Sequence, residues 1–257
     1  MPGWRIEPMQ HNQVVFWAEP ETFQIQETLY LEVRRKEGRV LSDTSVLALP
    51  NVSDNYPYAR EWRWRSRSFE RLQQYFHKRF LGQTQILDLG CGNGWMANQL
   101  ANNPLYTVTA MDLNREELSQ GARLFGRGNL RFVYGTVPFP ALVTDTFDLI
   151  VLAASVQYFP DLPTLVQELR KRLNPGGEIH FVDSHFYPNL EAHTAAQART
   201  RIYYTQAGVP DMAAFYHHHL MSEAVNLGAE NLNSSLIVKL LQKSRWLAPF
   251  PWLRLKP

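Results

Sequence analysis

The segment Ile86-Leu87-Asp88-Leu89-Gly90-Cys91-Gly92-Asn93-Gly94-Trp95 restricts what this chain can fold into more than any other stretch of its sequence. A short apolar run ends in an acid and opens into three glycines spaced two apart. Trp95-Met96-Ala97-Asn98-Gln99-Leu100 follows with helical spacing. Strand, glycine turn and helix in that order form a cradle for a nucleotide cofactor. Glycine is needed because the backbone turns tightly and lies against a ligand, where a Cβ would clash. The dinucleotide fingerprint G-x-G-x-x-G places its third glycine where this chain has Trp95, so the spacing weighs against that cofactor class.

Residues 81–186 alternate between strand and helix signals. Ile86–Leu89 reads as a strand, with Trp95–Asn102 as its helix. Thr107–Met111 is β-branched and apolar and ends at Asp112. Asn114 can cap a helix over Arg115–Phe125, in which Leu118, Ala122 and Phe125 recur at spacings of four and three. Leu130–Tyr134 and Phe147–Leu152 read as the third and fourth strands. Leu162–Leu173 reads as a helix opened by Pro163. Asn174-Pro175-Gly176-Gly177 stops it, and Glu178–Ser184 follows as the fifth strand. Such alternation implies a parallel sheet with helices on both faces.

At 257 residues and 45% apolar composition the chain can bury a core in one domain with an extension, or in two small ones. Its formal charge of +2 does not advertise nucleic-acid or anionic-membrane binding. The marked local excess is Arg60–Arg71, with five arginines among two tryptophans and two glutamates. That mixture suits RNA, or one amphipathic helix covering a pocket; Phe69, Leu72 and Phe76 recur at helical spacing and favour the pocket lid. One cysteine, Cys91, excludes an internal disulfide and a cysteine-rich metal site. The start of the sequence lacks the apolar core of a signal peptide, and no run of about 18 apolar residues offers a membrane span, so a cytoplasmic protein is expected.

The pattern Asp-x-Gly-x-Gly-x-Gly closely resembles motif I of the class I S-adenosylmethionine-dependent methyltransferases, and several further features resemble that family in order over residues 85–186. The resemblance implies an α/β fold: a Rossmann-like, seven-stranded, mostly parallel sheet with helices on both faces. To this are added an N-terminal extension, residues 1–80 with a hairpin and lid helix, and a C-terminal helical insertion within the domain 81–257. It also implies S-adenosyl-L-methionine as cofactor. Asp88 would help hold the cofactor's amino group, with Gly90, Gly92 and Gly94 passing beneath its methionine part. Asp112 matches the acid that takes both ribose hydroxyls, a task suited to a carboxylate that accepts two hydrogen bonds. Leu113 would pack on the adenine, and Ala153 after the fourth strand would lie near the methyl group. Gly135-Thr136-Val137-Pro138-Phe139 departs from the family: Thr136 stands where many relatives have an adenine-binding Asp, so Thr136 and Val137 are weaker candidates for that contact. No Asn/Asp-Pro-Pro-Tyr sequence follows the fourth strand, which removes weight from adenine and glutamine amino groups as acceptors. Leu173-Asn174-Pro175-Gly176-Gly177 resembles the family's turn before the fifth strand.

Outside that stretch, Val14–Trp17 and Leu29–Arg34 suggest strands, and Glu37-Gly38 a turn into Arg39–Leu49. Val40–Pro50 resembles the end of zinc-ribbon extensions found before some methyltransferase domains, without their cysteines; a plain β-hairpin is the other reading. A helix over Arg60–Phe80 leads into the sheet. In the tail, Glu191–Gln206 reads as a helix stopped by Gly208, and Pro210-Asp211 starts another through His217-His218-His219. Side chains on a helix diverge by about 100° per residue, so these three cannot converge on one metal. Leu236–Gln242 is a further helix, Pro251–Leu255 a final strand, and Ala224–Leu232 the candidate for the missing sixth strand.

Ligands of open parallel sheets bind beyond the carboxyl ends of the strands, which makes His185 and Tyr158 the candidate catalytic residues, with Tyr187 beside His185. Tyr203, Tyr204, Phe215, Tyr216 and His217 could complete an aromatic wall. Such a wall suits a small, largely uncharged acceptor, methylated on oxygen with a histidine taking the proton. A non-catalytic partner subunit of the same fold, and another Rossmann-type cofactor enzyme, are the alternatives.

Overall fold

The computed structural model describes residues 14–257. Val14–Phe16 is extended, as expected, and forms β1. Leu29–Arg34 is not a strand: it lies inside helix α1 (Pro20–Lys36). Its apolar alternation satisfies a strand period locally. The run is nonetheless flanked by helix formers, opens with Pro20 in the first turn and ends in Arg34, Arg35 and Lys36, which complement the helix C-terminus. The expected hairpin and zinc-ribbon relic over Val40–Pro50 are also replaced by a helix, α2 (Asp43–Ala48). Ser42 Oγ accepts from the Ser45 N–H and caps it. Helix α3 (Ala59–Arg79) matches the expected lid helix and buries Trp62, Phe69, Leu72 and Phe76 on one face.

The central segment follows the alternation closely: β2 (Thr84–Leu89), α4 (Trp95–Leu100), β3 (Tyr106–Asp112), α5 (Arg115–Leu124), β4 (Leu130–Tyr134), β5 (Phe147–Ala153), α6 (Leu162–Arg170) and β6 (Leu173–Val182). Successive residues of a strand face opposite sides of a sheet. In β2, Ile86 joins Leu72, Phe76 and Val108 on one face, whereas Leu87 and Leu89 join Ile150, Val166 and Phe181 on the other. Both faces are covered, so the strands read as continuous apolar runs. Each fully buried Leu, Ile or Phe contributes roughly 1.5–3 kcal/mol.

The tail supplies β7 (Phe186–Tyr187), α7 (Leu190–Gln206), β8 (His219–Leu220), α8 (Met221–Asn226), β9 (Glu230–Asn231), α9 (Leu236–Lys243) and β10 (Leu253–Leu255). The helix expected to run from Pro210 through the three histidines is instead a 3-10 turn, Pro210–Phe215, followed by extended chain. Ala224–Leu232 is mostly α8 and a turn, with the two-residue β9 as its only strand. The sheet order is β1-β4-β3-β2-β5-β6-β10-β9, with β10 antiparallel to both neighbours. Seven of these strands have the expected family arrangement; β1, parallel to β4, makes an eighth.

Two polar clusters fix the helices on this sheet. Glu27, buried in α1, accepts from the Arg115 N–H at 2.7 Å and from Arg115 Nε at 2.8 Å, tying α1 to the start of α5. Beneath α3, Tyr75 donates to Glu178 at 2.9 Å, and Trp252 Nε1 donates to His180 Nδ1 at 3.0 Å.

Candidate active site

The carboxyl ends of β2, β3, β5 and β6 border a cavity of about 950 Å³, where diverging helices leave room in an open parallel sheet. Asp88, Gly90 and Gly92 line it, as do Asp112, Leu113, Thr136, Val137 and Ala153. Helices α1, α3 and α7 close it from above, so the helix rich in arginine does border the cavity.

The three glycines have distinct physical roles. A Cβ on Gly90 would stand 2.3 Å from Ser155 Cβ, and one on Gly94 would stand 2.4 Å from the Phe132 ring. Both positions demand glycine for close packing. Gly94 does not line the cavity; it precedes α4 and packs against Phe132. Gly92 differs: its φ of +56° is in the left-handed region, and an added Cβ would meet only the Glu117 carboxylate, at 3.3 Å. Its open side faces the cavity.

Asp88 is buried, and neither carboxylate oxygen has a hydrogen-bond partner among the described residues. Burial, with the nearby charge of Asp112, pushes it up to about 8. A buried, unpartnered carboxylate is costly, and a cationic ligand relieves that cost. Glu117 lines the same cavity and is pushed by burial to about 7. The sequence signal for Glu117 was the cap itself: Asn114 Oδ1 accepts from the Glu117 N–H at 3.1 Å and Asn114 Nδ2 donates to Glu117 Oε2 at 2.9 Å. Asp112 accepts from the Gly92 N–H at 2.7 Å and from the Asn114 N–H at 2.9 Å. These bonds hold its carboxylate at the cavity edge.

Tyr158, His185, Tyr187, Tyr203, Tyr204 and Tyr216 also line the cavity, whereas Phe215 and His217 do not. Tyr158 meets Tyr30 edge-on at 5.6 Å and Tyr216 at 5.9 Å. His185 stacks on Tyr187 at 5.8 Å and meets Phe250 at 4.5 Å. Burial, with Arg199 nearby, lowers its basicity. The three consecutive histidines do not act together: His218 Nε2 bonds Thr200 Oγ1 at 3.0 Å and His219 Nε2 bonds the Val156 carbonyl at 3.2 Å.

Sequence reasoning missed Asp183, at the end of β6. It lines the cavity, has a φ of 54° and accepts from Ser68 Oγ at 2.6 Å. Burial pushes it to about 6. Ala154, at the end of β5, has a φ of 55°, and its N–H donates to the Val182 carbonyl at 2.9 Å. Two adjacent strands thus end in conformations that side-chain-bearing residues rarely adopt, as happens where a site over-determines its backbone. No motif marks either residue.

The cavity is also more charged than expected. Arg34, Arg39, Arg60, Arg65 and Arg199 line it, with Glu37 and Glu61 among them. Glu61 binds Arg39 at 2.5 Å and Arg65 at 2.9 Å. The Arg34 guanidinium makes no hydrogen bond among the described residues; Glu37 lies 3.7 Å away. The lining is therefore not the aromatic wall alone that the sequence suggests, because α1 folds as a helix over the site and brings Arg34 with it.

The sheet order, the glycine cradle and the acid at the end of β3 are similar to those of class I S-adenosylmethionine-dependent methyltransferase domains. Residues 86–177 match the family described as "Methyltransferase domain". Over 97 residues the chain is 38% identical to a trans-aconitate 2-methyltransferase of Deinococcus radiodurans, covering 37% of this chain and 36% of that protein. Over 135 residues it is 30% identical to a malonyl-[acyl-carrier protein] O-methyltransferase of Halalkalibacterium halodurans, covering 49% and 47%. The chain spans about a third to a half of the length of the curated relatives it matches. Its fold is similar to that of the YcgJ protein of Bacillus subtilis, with a TM-score of 0.50 and 22% identity over 65% of this chain and 70% of that one.

The residues present fit the family's cofactor. The unpartnered Asp88 carboxylate suits an ammonium group, and Asp112 keeps lone pairs for a ribose diol. Gly92 lines the cavity with only the Glu117 carboxylate near the place of its missing Cβ.

Proposed function

We propose that this chain transfers a methyl group from S-adenosylmethionine to an oxygen of a small molecule. The observation that carries the reading is one continuous cavity. The unpartnered Asp88 borders it at the end of β2, and Asp183 and His185 after β6, with a set of tyrosines lining the same space. In this reading Asp88, Gly90, Gly92, Asp112 and Leu113 bind the cofactor, Thr136, Val137 and Ala153 border it, and Gly94 shapes the loop from behind. Helices α1 and α3 serve as the lid of the domain over 81–257. The setting is cytoplasmic, in keeping with a single buried thiol, Cys91.

Bound in the cradle, the cofactor supplies an electrophilic methyl group on a good leaving group. What remains for the protein is to position the acceptor and keep water out. Tyr30, Tyr158 and Tyr216 pack edge to face over the cavity and exclude water. For a hydroxyl acceptor, His185 or Asp183 takes the proton; each sits at the end of β6, and the depressed basicity of His185 keeps its ring neutral and ready to accept. A second reading, methylation of a carboxylate, is favoured by Arg34, whose unbonded guanidinium can hold an anionic acceptor, and it needs no base.

The test is incubation with S-adenosylmethionine and a panel of small phenols, hydroxy acids and dicarboxylic acids, followed by mass spectrometry of the products. Methyl ethers or esters support the reading. Methylation of amines alone contradicts it.

A further inference from the structure

Helix α9 is unlike every other helix of eight or more residues in the described chain, because none of its residues is buried. Leu236, Ile237 and Leu240 are 74%, 71% and 58% exposed, and Trp246 just beyond is 47% exposed. Large apolar side chains scattered singly on a surface need no explanation, but a contiguous cluster does. Leu236, Lys239, Leu240 and Lys243 recur at spacings of three and four, so the two lysines flank the apolar residues on the same side of the helix. No acidic residue follows Glu230, whereas Lys239, Lys243 and Arg245 all do and are exposed.

The cluster continues onto the lid. Trp64 Nε1 donates to the Arg245 carbonyl at 2.9 Å, and Arg67 Nη1 donates to the Trp246 carbonyl at 2.5 Å. The Arg67 guanidinium lies 4.4 Å from the centre of the Trp246 ring, and that of Arg60 lies 5.3 Å from the centre of the Trp64 ring. Arg60 and Trp64 also border the large cavity. An apolar helix face fringed by cations, with a tryptophan at its margin, therefore adjoins the part of the lid that edges the active site.

We propose that α9 and the Trp246 margin form a docking surface for an anionic lipid bilayer, with the helix lying in the plane of the interface. Leucine and isoleucine side chains enter the boundary between headgroups and acyl chains. Lysine stems lie along the apolar surface while their ammonium groups reach the headgroups. Tryptophan, with an apolar body and one N–H, suits the same depth. Charge decides between this occupant and a second copy of the chain. A two-fold contact through α9 and the Trp246 segment would bring the cations Lys239, Lys243 and Arg245 of the two copies together, with no acid within that stretch to answer them. Anionic headgroups answer all three. The docking is independent of which molecule accepts the methyl group, but it would present the cavity edge at Arg60 and Trp64 to the bilayer surface.

The experiment is co-sedimentation of the full chain with phosphatidylcholine vesicles containing about one third phosphatidylglycerol, and with phosphatidylcholine vesicles alone. The wild type should bind the anionic vesicles, more weakly as salt is raised. Leu236→Glu with Ile237→Glu should abolish binding. Lys239→Gln with Lys243→Gln should weaken it about thirtyfold. Both variants should keep the wild-type melting temperature and S-adenosylhomocysteine affinity, since these side chains support neither core nor cradle. No binding to anionic vesicles overturns the proposal, as does equal binding to both vesicle types. So does a dimer in size-exclusion chromatography that the Glu variants dissociate, which would assign the face to a second copy.

Discussion

Ser68 Oγ donates a hydrogen bond of 2.6 Å to the Asp183 carboxylate, linking the middle of the lid helix to the end of β6. Asp183 is thereby fixed in a left-handed backbone conformation at the cavity wall. Its position ties the lid to whatever chemistry the acceptor undergoes.

If Asp183 takes a proton from the acceptor, it must be ionised to do so. Activity should then rise with pH through about 6, the value to which burial pushes it. Ser68→Ala removes a hydrogen bond that favours the charged form, so the acid limb of the kcat/KM profile should move to higher pH. Asp183→Asn should lower turnover about a hundred- to ten-thousandfold and leave S-adenosylhomocysteine binding intact. An unmoved pH profile in Ser68→Ala, with full turnover in Asp183→Asn, would leave His185 as the base, and His185→Ala is the matching test.

Cofactor affinity should depend on pH through Asp88. In the free protein Asp88 is held to about 8, so near neutrality much of it is protonated and cannot bind an ammonium as a carboxylate. Binding the cation favours the ionised form, so affinity should tighten as pH rises toward 8, by at most about tenfold per pH unit. Titration calorimetry with S-adenosylhomocysteine across this range measures it. Asp88→Asn should flatten the dependence and weaken binding.

The glycines should separate into two behaviours. Gly90→Ala and Gly94→Ala force a Cβ against Ser155 and Phe132, and each should lose about 2–4 kcal/mol of stability in urea unfolding. Gly92→Ala carries the positive-φ penalty, about 1 kcal/mol, and a 3.3 Å contact with the Glu117 carboxylate, which a side chain can relieve by a small shift. Gly92→Val, with branches reaching into the cavity, should abolish cofactor binding in a protein that still folds.

The pattern of strands and caps was legible because each element from β2 to β6 carries its own local signal, and Asn114 caps α5 as its side chain suggests. Leu29–Arg34 is misleading taken alone. Alternation and helical spacing coincide over so short a run; the flanking helix signals and the contacts of Glu27 with Arg115 and of Leu31 and Val33 with the interior decide for the helix. That one misreading concealed Arg34 and Tyr30 from the site. Asp183 was hidden for another reason: an acid two residues before a histidine has no distinctive spacing, and its left-handed backbone exists only in the fold. Gly94 illustrates the converse, a motif residue packed against Phe132 of β4, two strands over from β2, and not against the cavity.

Under the lid, His180 should set a pH limit on stability. Trp252 Nε1 donates to Nδ1, so the ring's own proton sits on Nε2 and faces Glu178 Oε2 at 3.2 Å. Burial lowers the folded-state basicity of His180, opposed by Glu178. The folded state therefore prefers the neutral ring, and its contribution is complete above the unfolded value of 6.5 and declines as pH falls below it. His180→Ala strands Trp252 and should cost about 2–4 kcal/mol, with a shallower loss of melting temperature below pH 6.5 than the wild type.

Calorimetric titration of the wild type and of Asp112→Ala with S-adenosylhomocysteine, with NAD as the control ligand, tests the assignment of the cradle most directly. The wild type should bind S-adenosylhomocysteine and not NAD. Asp112→Ala should bind S-adenosylhomocysteine at least tenfold more weakly, because the carboxylate held by the Gly92 and Asn114 N–H groups is the one placed for the ribose hydroxyls. Tighter binding of NAD, or an Asp112→Ala variant that binds S-adenosylhomocysteine as well as the wild type, would contradict it.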